Sequence, residues 1–303
     1  MVQPPNGSGT RPRAALLLVV GLVVVVAVLV AIVDSRDTRR DATAPTAASA
    51  APTTRATTPT TAATATTGTS PGPTSTNGAP TRASFTPTAA KPLRLWVGGD
   101  SLAAGPSWAV FEAARATGVV KPLAEYQVGT GLVRNEFWDW PKHMDAVVRA
   151  RDPQVSVFMV GANDDQPIDV DGTSYGPPDA HWVAEYRRRI RQVMNTLTAG
   201  GRHLVWIGMP PMQDPAYSQS MGLLDQIMQK EATKHRRVQY VDAWVMFSAA
   251  GAPGTYAASV PDENGTLVNM RLDDGIHLNV EGSQRVARAV LAEIGKVATL
   301  PPS

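Results

Sequence analysis

The stretch at residues 93–102 reads Leu-Arg-Leu-Trp-Val-Gly-Gly-Asp-Ser-Leu, an apolar run followed at once by polar residues. Its first half is a short, mostly apolar run, which is typical of a buried β-strand. Its second half is a polar turn that puts the hydroxyl group of Ser101 directly after the strand. A strand followed at once by a polar block recurs along the chain, so we expect several such units to form one sheet.

The first apolar run of strand length covers residues 93–97, and four more follow it. They cover residues 124–128, 155–160, 204–207 and 238–241. Apolar residues at a spacing near 3.6 predict helices over residues 182–197, 223–228 and 286–297, with Asn279 as the cap of the last one. Strands that alternate with helices predict an α/β fold, in which a parallel sheet of about five strands lies between helices.

Chemistry-bearing residues follow the predicted strands at the same end. Ser101 follows the first strand, Gly131 the second and Asn163 the third. In an open α/β sheet, ligands bind outside the carboxyl ends of the strands. Asp274 and His277 precede the last predicted helix and can reach the same edge. The chain therefore predicts one site with the parts of a serine hydrolase: a hydroxyl nucleophile, an imidazole base, a carboxylate and donors for an oxyanion.

These blocks resemble the SGNH (GDSL-like) hydrolase superfamily over residues 93–297, and in particular a bacterial cell-envelope branch of the type catalogued as DUF459. The four residues that name the superfamily correspond to Ser101, Gly131, Asn163 and His277. The resemblance is carried by residues 99–102, 130–134, 137–141, 161–164, 206–212 and 271–277. It implies a flavodoxin-like three-layer α/β/α fold and acyl-ester chemistry, often the transfer or removal of O-acetyl groups on glycans.

The catalytic residues are predicted to be Ser101, Asp274 and His277. His277 would take the proton of Ser101, and Asp274 would hold the imidazole in the required tautomer. Asp273 is an alternative to Asp274 as the carboxylate, although spacing and resemblance favour Asp274.

The oxyanion hole is predicted to consist of the N–H groups of Ser101 and Gly131 and the side-chain amide of Asn163. Gly129 is an alternative to Gly131 as a donor. We expect Asp100 and Asp164 to brace these blocks through hydrogen bonds to backbone and not to react.

Arg134, Trp138 and Trp140 are candidate substrate-binding residues. Exposed indole rings stack well on sugar faces, and an arginine suits an anionic or polyol substrate. The alternatives are core or lid packing for the tryptophans and a salt bridge for Arg134. Ser174 lies in a Gly-x-Ser-x-Gly pattern, but prolines follow it at once, where a nucleophile elbow needs a helix.

An uncharged tract of twenty residues, 14–33, is long enough to cross a bilayer and predicts a transmembrane signal anchor, with a cleaved signal peptide as the alternative. Residues 1–13 would then be cytoplasmic. Residues 34–90, rich in Thr, Ala and Pro, predict a disordered stalk, which favours a catalytic domain at 91–303 outside the cytoplasm.

Composition excludes several other classes of protein. The chain of 303 residues has no cysteine, so disulfide scaffolds and cysteine nucleophiles are excluded. A net charge of +2 without a basic run does not indicate nucleic acid. No cofactor or metal is predicted, because the acidic residues after Asn163 lack the spacing of a calcium loop.

We therefore expect a membrane-anchored serine esterase or O-acyltransferase that acts on O-acyl, chiefly O-acetyl, groups of envelope carbohydrate. A membrane acyltransferase is a conceivable partner. The alternatives are a non-catalytic glycan-binding or scaffold module on the same fold, and a hydrolase of lipid esters, whose pocket would contain a long apolar groove.

Overall fold

A computed structural model describes residues 85–301. These residues form eleven strands: β1 Leu93–Gly99, β2 Val120–Tyr126, β3 Val155–Met159, β4 Ile168–Val170, β5 Thr173–Tyr175, β6 His203–Ile207, β7 Val238–Val241, β8 Ser248–Ala249, β9 Ala252–Tyr256, β10 Ser259–Pro261 and β11 Leu267–Asn269. They also form six α-helices: α1 Ala104–Ala116, α2 Trp140–Arg151, α3 Ala180–Thr198, α4 Pro215–Ala232, α5 Ala243–Met246 and α6 Val280–Gly295. Short 3-10 turns lie at Ser101–Ala103 and Ala199–Gly201.

The main sheet has five strands in the order β2-β1-β3-β6-β7, and every neighbouring pair is parallel. Counting only these five strands, the order is 2-1-3-4-5, the flavodoxin-like arrangement. The chain moves in one direction from β1 to β2 and in the other from β3 onward. Right-handed crossovers therefore put α1 and the later crossover helices on opposite faces of the sheet. The predicted α/β fold with five parallel strands is confirmed.

The core lies on both faces of this sheet. All five residues of β3 are buried, because β3 is central and covered on both sides. The ring of Phe158 packs against Trp96 at 6.0 Å and against Trp206 at 5.3 Å between centroids. Helix α1 packs against α6, while α3 packs against α2 and α4.

Side-chain caps explain where five helices begin. Asp139, Asp179, Asp214, Asp242 and Asn279 each accept a hydrogen bond from a backbone N–H group in the first turn of the following helix. Each bond satisfies one of the donors that a helix start leaves unpaired. The predicted cap at Asn279 is confirmed, since its Oδ1 accepts from the N–H of Gly282 at 3.0 Å.

Strand β2 and helix α2 are among the elements that differ from the prediction. Strand β2 was expected at residues 124–128 but spans Val120–Tyr126, where only Val120 is buried. It is an edge strand that contains Pro122, so its sequence lacks the continuous apolar run of the central strands. Helix α2 was not predicted, although Trp140, Met144 and Val147 have helical spacing and are buried.

Strands β4 and β5 pair as a hairpin over residues 168–175. Its two connecting residues, Asp171 and Gly172, have φ angles of 50° and 79°, as a tight type I′ turn requires. Ser174 lies in β5 and is exposed, so it does not stand on a strand-to-helix elbow. Two further hairpins, β8–β9 and β10–β11, lie between α5 and α6.

The first described residues pack on the folded domain. Phe85 forms a β-bridge with Ala298 and accepts a hydrogen bond from the N–H of Thr299 at 2.9 Å. Phe85 and Ala298 line a cavity together with Leu93 and Val155, the first residues of β1 and β3. They therefore lie at the amino-end edge of the sheet. The folded part thus begins by residue 85, six residues before the predicted boundary at 91.

The predicted anchor at residues 14–33, and the predicted stalk as far as residue 84, lie outside the described residues. Within residues 85–301, no helix is both long and apolar enough to cross a membrane.

Candidate active site

Ser101 begins the turn that joins β1 to α1. The buried carboxylate of Asp100 fixes this turn, because it accepts hydrogen bonds from the N–H groups of Leu102 at 2.9 Å, Gly161 at 2.8 Å and Ala162 at 2.9 Å. Burial raises the pKa of Asp100 to about 6, against the lowering effect of those three donors. Asp100 thus ties the loop after β1 to the loop after β3, as its predicted bracing role requires.

Asp164 joins the loop after β2 to the loop after β3 in the same way. Its carboxylate accepts from the N–H groups of Leu132 and Val133, both at 2.9 Å, and from the hydroxyl of Tyr186 at 2.9 Å. Burial raises its pKa, and these hydrogen bonds oppose that effect. Asn163, next to it, donates from Nδ2 to the carbonyl of Thr130 at 2.9 Å. The loops that carry Gly131 and Asn163 therefore form one unit.

Gly99 and Gly131 lie so close to atoms of a neighbouring loop that neither position has room for a side chain. A Cβ atom on Gly99 would overlap the carbonyl oxygen of Met159, and the φ angle of Gly99 is +154°. A Cβ atom on Gly131 would overlap the carboxylate of Asp164. Glycine at these positions lets the loops after β1, β2 and β3 meet.

Ser101, His277 and Asp274 form a continuous hydrogen-bonded chain. Nε2 of His277 lies 3.3 Å from Oγ of Ser101, and Nδ1 of His277 lies 2.7 Å from Oδ2 of Asp274. The other carboxylate oxygen of Asp274 accepts from the N–H groups of Ile276 at 2.8 Å and of His277 at 2.9 Å. It is the side chain of Asp274, and not that of the alternative Asp273, that meets the imidazole.

The pKa of Asp274 reflects this environment. Burial raises it, but the hydrogen bond from the His277 side chain, followed by those from the Ile276 and His277 N–H groups, brings it down to about 2. Asp274 therefore remains ionised at neutral pH. An ionised carboxylate at Nδ1 orients the ring so that Nε2 faces Ser101.

Arg271 supports the loop that carries this pair and was missed in the sequence. Its guanidinium donates to the carbonyl oxygens of Ile276 at 2.8 Å and Pro211 at 2.6 Å. It is 2% exposed and lies over the rings of Phe247 and Tyr256, at 5.3 and 5.4 Å. Burial lowers its pKa to about 10. The only sequence signal was its position three residues before Asp274.

The predicted oxyanion donors lie in these same loops. Within residues 85–301, the backbone N–H groups of Ser101 and Gly131 donate no hydrogen bond to another residue. The amide nitrogen of Asn163 uses one hydrogen on Thr130 and retains a second one. Among the described residues, these three donors therefore each keep an N–H hydrogen that no other residue accepts.

The two tryptophans do not have the exposure that was predicted. Trp140 is 1% exposed, its Nε1 donates to Oγ1 of Thr130 at 3.0 Å, and its ring lies 5.1 Å from that of Phe158. The prediction that Trp140 stacks on a sugar is therefore wrong, because its ring faces are covered by the core. Trp138 is half-buried, with its ring 5.9 Å from Trp140 and 5.1 Å from His143.

Arg134 is exposed and lies six residues before the start of α2. Its Nε lies 3.4 Å from the carboxylate of Glu136, and its guanidinium lies 5.2 Å from the centroid of the Phe137 ring. An exposed pair of this kind contributes little to stability. Of the three predicted substrate contacts, Arg134 is the one whose polar group faces solvent.

The family is decided by a match to a family model. The model described as "Protein of unknown function (DUF459)" matches residues 94–293, which include Ser101, Gly131, Asn163, Asp274 and His277. The chain belongs to the DUF459 family. The family predicted from the sequence motifs is therefore confirmed.

Solved structures similar to this DUF459 protein include a GDSL-like lipase from Bacteroides thetaiotaomicron, with 14% identity over 67% of this chain and 88% of that one, and a TM-score of 0.47. A catalytic mutant of an acetylxylan esterase from Geobacillus stearothermophilus has 15% identity over 68% of this chain and 96% of its own, and a TM-score of 0.44. No curated protein matches the chain. The activity must therefore be argued from the residues of the DUF459 domain itself.

Within the described part of this DUF459 protein, no set of three or more His, Asp or Glu side chains is arranged to hold a metal ion.

Proposed function

We propose that this protein is a serine hydrolase of acyl esters, or a related O-acyltransferase. The observation that supports the proposal is the hydrogen-bonded chain from Asp274 through His277 to Ser101. Binding alone does not require a hydroxyl group aligned on an imidazole that is itself oriented by a carboxylate. The proposal therefore favours an enzyme over a non-catalytic glycan-binding or scaffold module.

The first half of the reaction forms an acyl-enzyme. Oγ of Ser101 attacks the ester carbonyl carbon while Nε2 of His277 accepts the serine proton. The carbonyl oxygen becomes an oxyanion, which the N–H groups of Ser101 and Gly131 and the amide of Asn163 stabilise. The tetrahedral intermediate then collapses: the bond to the leaving oxygen breaks, and His277 returns the proton to that oxygen.

The second half determines whether the enzyme is a hydrolase or a transferase. His277 removes a proton from water or from an acceptor hydroxyl group, whose oxygen attacks the acyl carbon. The bond to Oγ of Ser101 breaks, and Ser101 recovers its proton from His277. Water yields a carboxylic acid, whereas a sugar hydroxyl yields a new ester.

The substrate class proposed is O-acylated envelope carbohydrate, with O-acetyl as the smallest acyl group. Its support is the resemblance of the sequence motifs to cell-envelope SGNH proteins, together with Arg134, whose guanidinium is exposed. We further propose a single-pass membrane protein with an extracytoplasmic catalytic domain, from the apolar tract at 14–33 and the Thr- and Pro-rich segment after it. A membrane acyltransferase would be the partner if the enzyme transfers acyl groups.

The test is the hydrolysis of p-nitrophenyl acetate by the purified full-length protein beside its Ser101→Ala variant. Release of nitrophenol should fall to the uncatalysed rate in Ser101→Ala. Ser174→Ala is the matched control, since Ser174 lies on an exposed hairpin strand, and its rate should equal that of the wild type. Equal rates in the wild type and Ser101→Ala would sink the proposal.

A transferase without its acceptor can be inactive in this assay. Labelling with a fluorophosphonate, followed by mass spectrometry of the modified peptide, covers that case because it requires only an activated serine. Modification of Ser101 would support the proposal. A folded protein that neither turns over the ester nor reacts at Ser101 would be a binding module.

A further inference from the structure

Basic residues lie at the amino ends of four of the five strands of the main sheet. Arg94 is the second residue of β1 and Lys121 is the second residue of β2, while Arg202 and Arg237 come directly before β6 and β7. A β-sheet has only a small net dipole, so the strand ends do not need these charges for balance. The positive charge at this edge is therefore a property of the surface that the fold itself does not require.

Two cavities lie at this edge, with volumes of about 430 and about 270 Å³. Arg94 and Pro153 line both of them, so the cavities adjoin each other. The charged residues that line them, here called the basic edge, are Arg94, Lys121, Arg151, Asp152, Arg202 and Arg237. With five cations and one carboxylate among the described residues, the basic edge has a formal net charge of +4.

The one carboxylate of the basic edge, Asp152, neutralises only part of this charge. Its two oxygens accept hydrogen bonds from Arg94 and Arg202, both at 2.8 Å. Lys121 and Arg151 are exposed, and neither forms an ion pair within residues 85–301. The basic edge therefore keeps solvated cations that can bind an anionic partner.

The opposite edge of the sheet, which carries Ser101, has acidic residues at the starts of its helices. Asp139, Asp179, Asp214 and Asp242 cap α2, α3, α4 and α5 there. Opposite charges at the two ends of the strands make the domain an electric dipole. An anionic surface therefore attracts the basic edge and repels the edge that carries Ser101.

The described chain begins at the basic edge. Phe85, its first residue, lines the larger of the two cavities together with Arg94 and Arg237. The apolar tract at 14–33, which we propose as a membrane anchor, lies upstream. A flexible linker of about 50 residues has an end-to-end distance of roughly 40 Å. An anchor at 14–33 would therefore keep the basic edge within reach of the membrane that it crosses.

We propose that the basic edge docks on anionic lipid headgroups at the surface of the membrane that anchors the chain. The inference rests on the proposed single-pass anchor and extends it, because it gives the catalytic domain an orientation. Each basic side chain close to an anionic membrane strengthens binding by a factor of about five. Five such side chains outweigh the one carboxylate, so the contact is favourable once the anchor holds the domain near the surface.

This orientation decides what Ser101 can reach. Ser101 lies beyond the other end of β1, whose seven residues span about 23 Å. It would therefore stand at least about 20 Å from the headgroups and face away from them. The active site would meet the carbohydrate of the envelope and not the ester bonds of membrane lipids.

The test measures the orientation of the full-length protein in vesicles of phosphatidylcholine, with or without phosphatidylglycerol as the anionic lipid. Because the chain has no cysteine, one introduced by Ala116→Cys or Ser174→Cys carries the only dye on the protein. An acceptor dye is placed on the lipid headgroups. Ala116 is the exposed last residue of α1, at the amino-end edge, and Ser174 lies on the exposed hairpin after β3, at the other edge.

In anionic vesicles at 0.1 M salt, energy transfer from the Ala116→Cys dye should exceed that from the Ser174→Cys dye. The two should be equal in neutral vesicles, and at 1 M salt, where the screening length falls from about 10 Å to about 3 Å. Equal transfer from both positions in anionic vesicles at low salt would overturn the inference. An excess that neither lipid charge nor salt changes would also overturn it.

Charge variants test which face makes the contact. Lys121→Gln together with Arg151→Gln removes two of the five cations and should lower the ratio of docked to undocked protein about 25-fold. Arg134→Gln together with Lys142→Gln is the matched control, since it removes the same charge from exposed positions at the opposite edge, and it should keep the excess. Equal losses in the two double variants would contradict the assigned face.

The outcomes separate this inference from the proposed function. A protein that neutral vesicles do not retain at 1 M salt has no anchor, and sedimentation with anionic vesicles at 0.1 M salt then tests the basic edge alone: binding would support the docking, and no binding would overturn it. Binding to dextran sulfate without an orientation on anionic vesicles would assign the edge to an anionic polymer and overturn the inference. Fluorophosphonate labelling of Ser101 is measured separately and decides only whether the domain is an enzyme.

Discussion

Asp274 makes three hydrogen bonds, two to backbone N–H groups and one to His277, so it controls the orientation of the imidazole. In Asp274→Asn, the amide nitrogen can donate to Nδ1 and would favour the wrong tautomer. We expect kcat for p-nitrophenyl acetate to fall by a factor on the order of 10³ to 10⁴, by analogy with a well-studied serine protease triad. A fall of less than tenfold would mean that Asp274 does not serve as the third member.

Asn163 supplies the one side-chain donor of the proposed oxyanion hole. Asn163→Ala removes that donor, and the loss of one such donor costs about 3–4 kcal/mol of barrier, or roughly 10² to 10³ in kcat. Since the donor acts mainly on the transition state, kcat should fall more than KM rises. Steady-state kinetics on p-nitrophenyl acetate would show this, and an effect on KM alone would count against the role.

Asp225 is a buried carboxylate away from the triad whose titration affects stability. Burial raises its pKa to about 6, against hydrogen bonds from Tyr240 and Met209 to its Oδ1. A raised pKa contributes stability that is present below the pKa of the unfolded chain and is lost as pH rises through about 6. Asp225→Asn keeps an oxygen for both donors but does not titrate.

The difference in unfolding free energy, wild type minus Asp225→Asn, should therefore shift in favour of the wild type by about 1 kcal/mol as pH falls from 7.5 to 5. Urea denaturation of both proteins at the two pH values measures it. Every other titrating group is common to both proteins and cancels. A difference that does not change with pH would show that Asp225 does not titrate in this range.

Among the individual residues of the site, the positions of Ser101, Asn163 and His277 were predictable. Each follows a strand or precedes a helix whose apolar pattern is clear. For Trp140 the sequence left two interpretations open, a sugar contact or core packing, and the structure shows core packing. Trp140 starts α2, and which way a ring faces depends on the helix that carries it. Arg271 was missed because a single arginine in a loop gives no sign that its guanidinium will be buried under two rings.

Helix α6 begins three residues after the candidate catalytic histidine, His277, and Asn279 caps it. Asn279→Ala removes the hydrogen bond to the N–H of Gly282 and should cost about 1 kcal/mol of stability. Asn279→Asp keeps a capping oxygen but loses the hydrogen bond from Nδ2 to the carbonyl oxygen of Asn269 at 2.8 Å, so it should recover only part of that stability. Urea denaturation of the two variants beside the wild type measures the difference, and equal stability of Asn279→Ala and the wild type would contradict the capping role.

The strands that are most deeply buried were the ones whose positions the sequence predicted most accurately. The central strands β3 and β6 are covered on both faces, so their sequences are continuous apolar runs that match the structure closely. Edge strand β2 is half-exposed, and its predicted start was four residues too late and its predicted end two residues too late. The short hairpins between α5 and α6 have mixed burial and no clear period, so no sequence rule indicated them.

The folded domain includes residues that composition assigns to the stalk. Phe85 packs against the core and pairs with Ala298, although residues 85–90 resemble the preceding Thr- and Pro-rich segment. A fragment that starts at 91 should be less stable than one that starts at 85 by about 1 kcal/mol, since a half-buried phenylalanine is lost. Urea denaturation of the two fragments tests this, and equal midpoints would mean that Phe85 contributes nothing.

The bridge between Phe85 and Ala298 brings the two ends of the folded chain together at the amino-end edge of the sheet. The first and last described parts of the domain, at Phe85 and Ala298, are therefore neighbours in space. A circular permutant, joined by a short linker between residues 301 and 85 and opened at the exposed turn around Gly251, should retain the same fold. Its new ends would leave from a different part of the surface. A support attached at the new ends would hold the domain at the turn around Gly251 and not at Phe85. Ser101 would then face a different direction relative to that support.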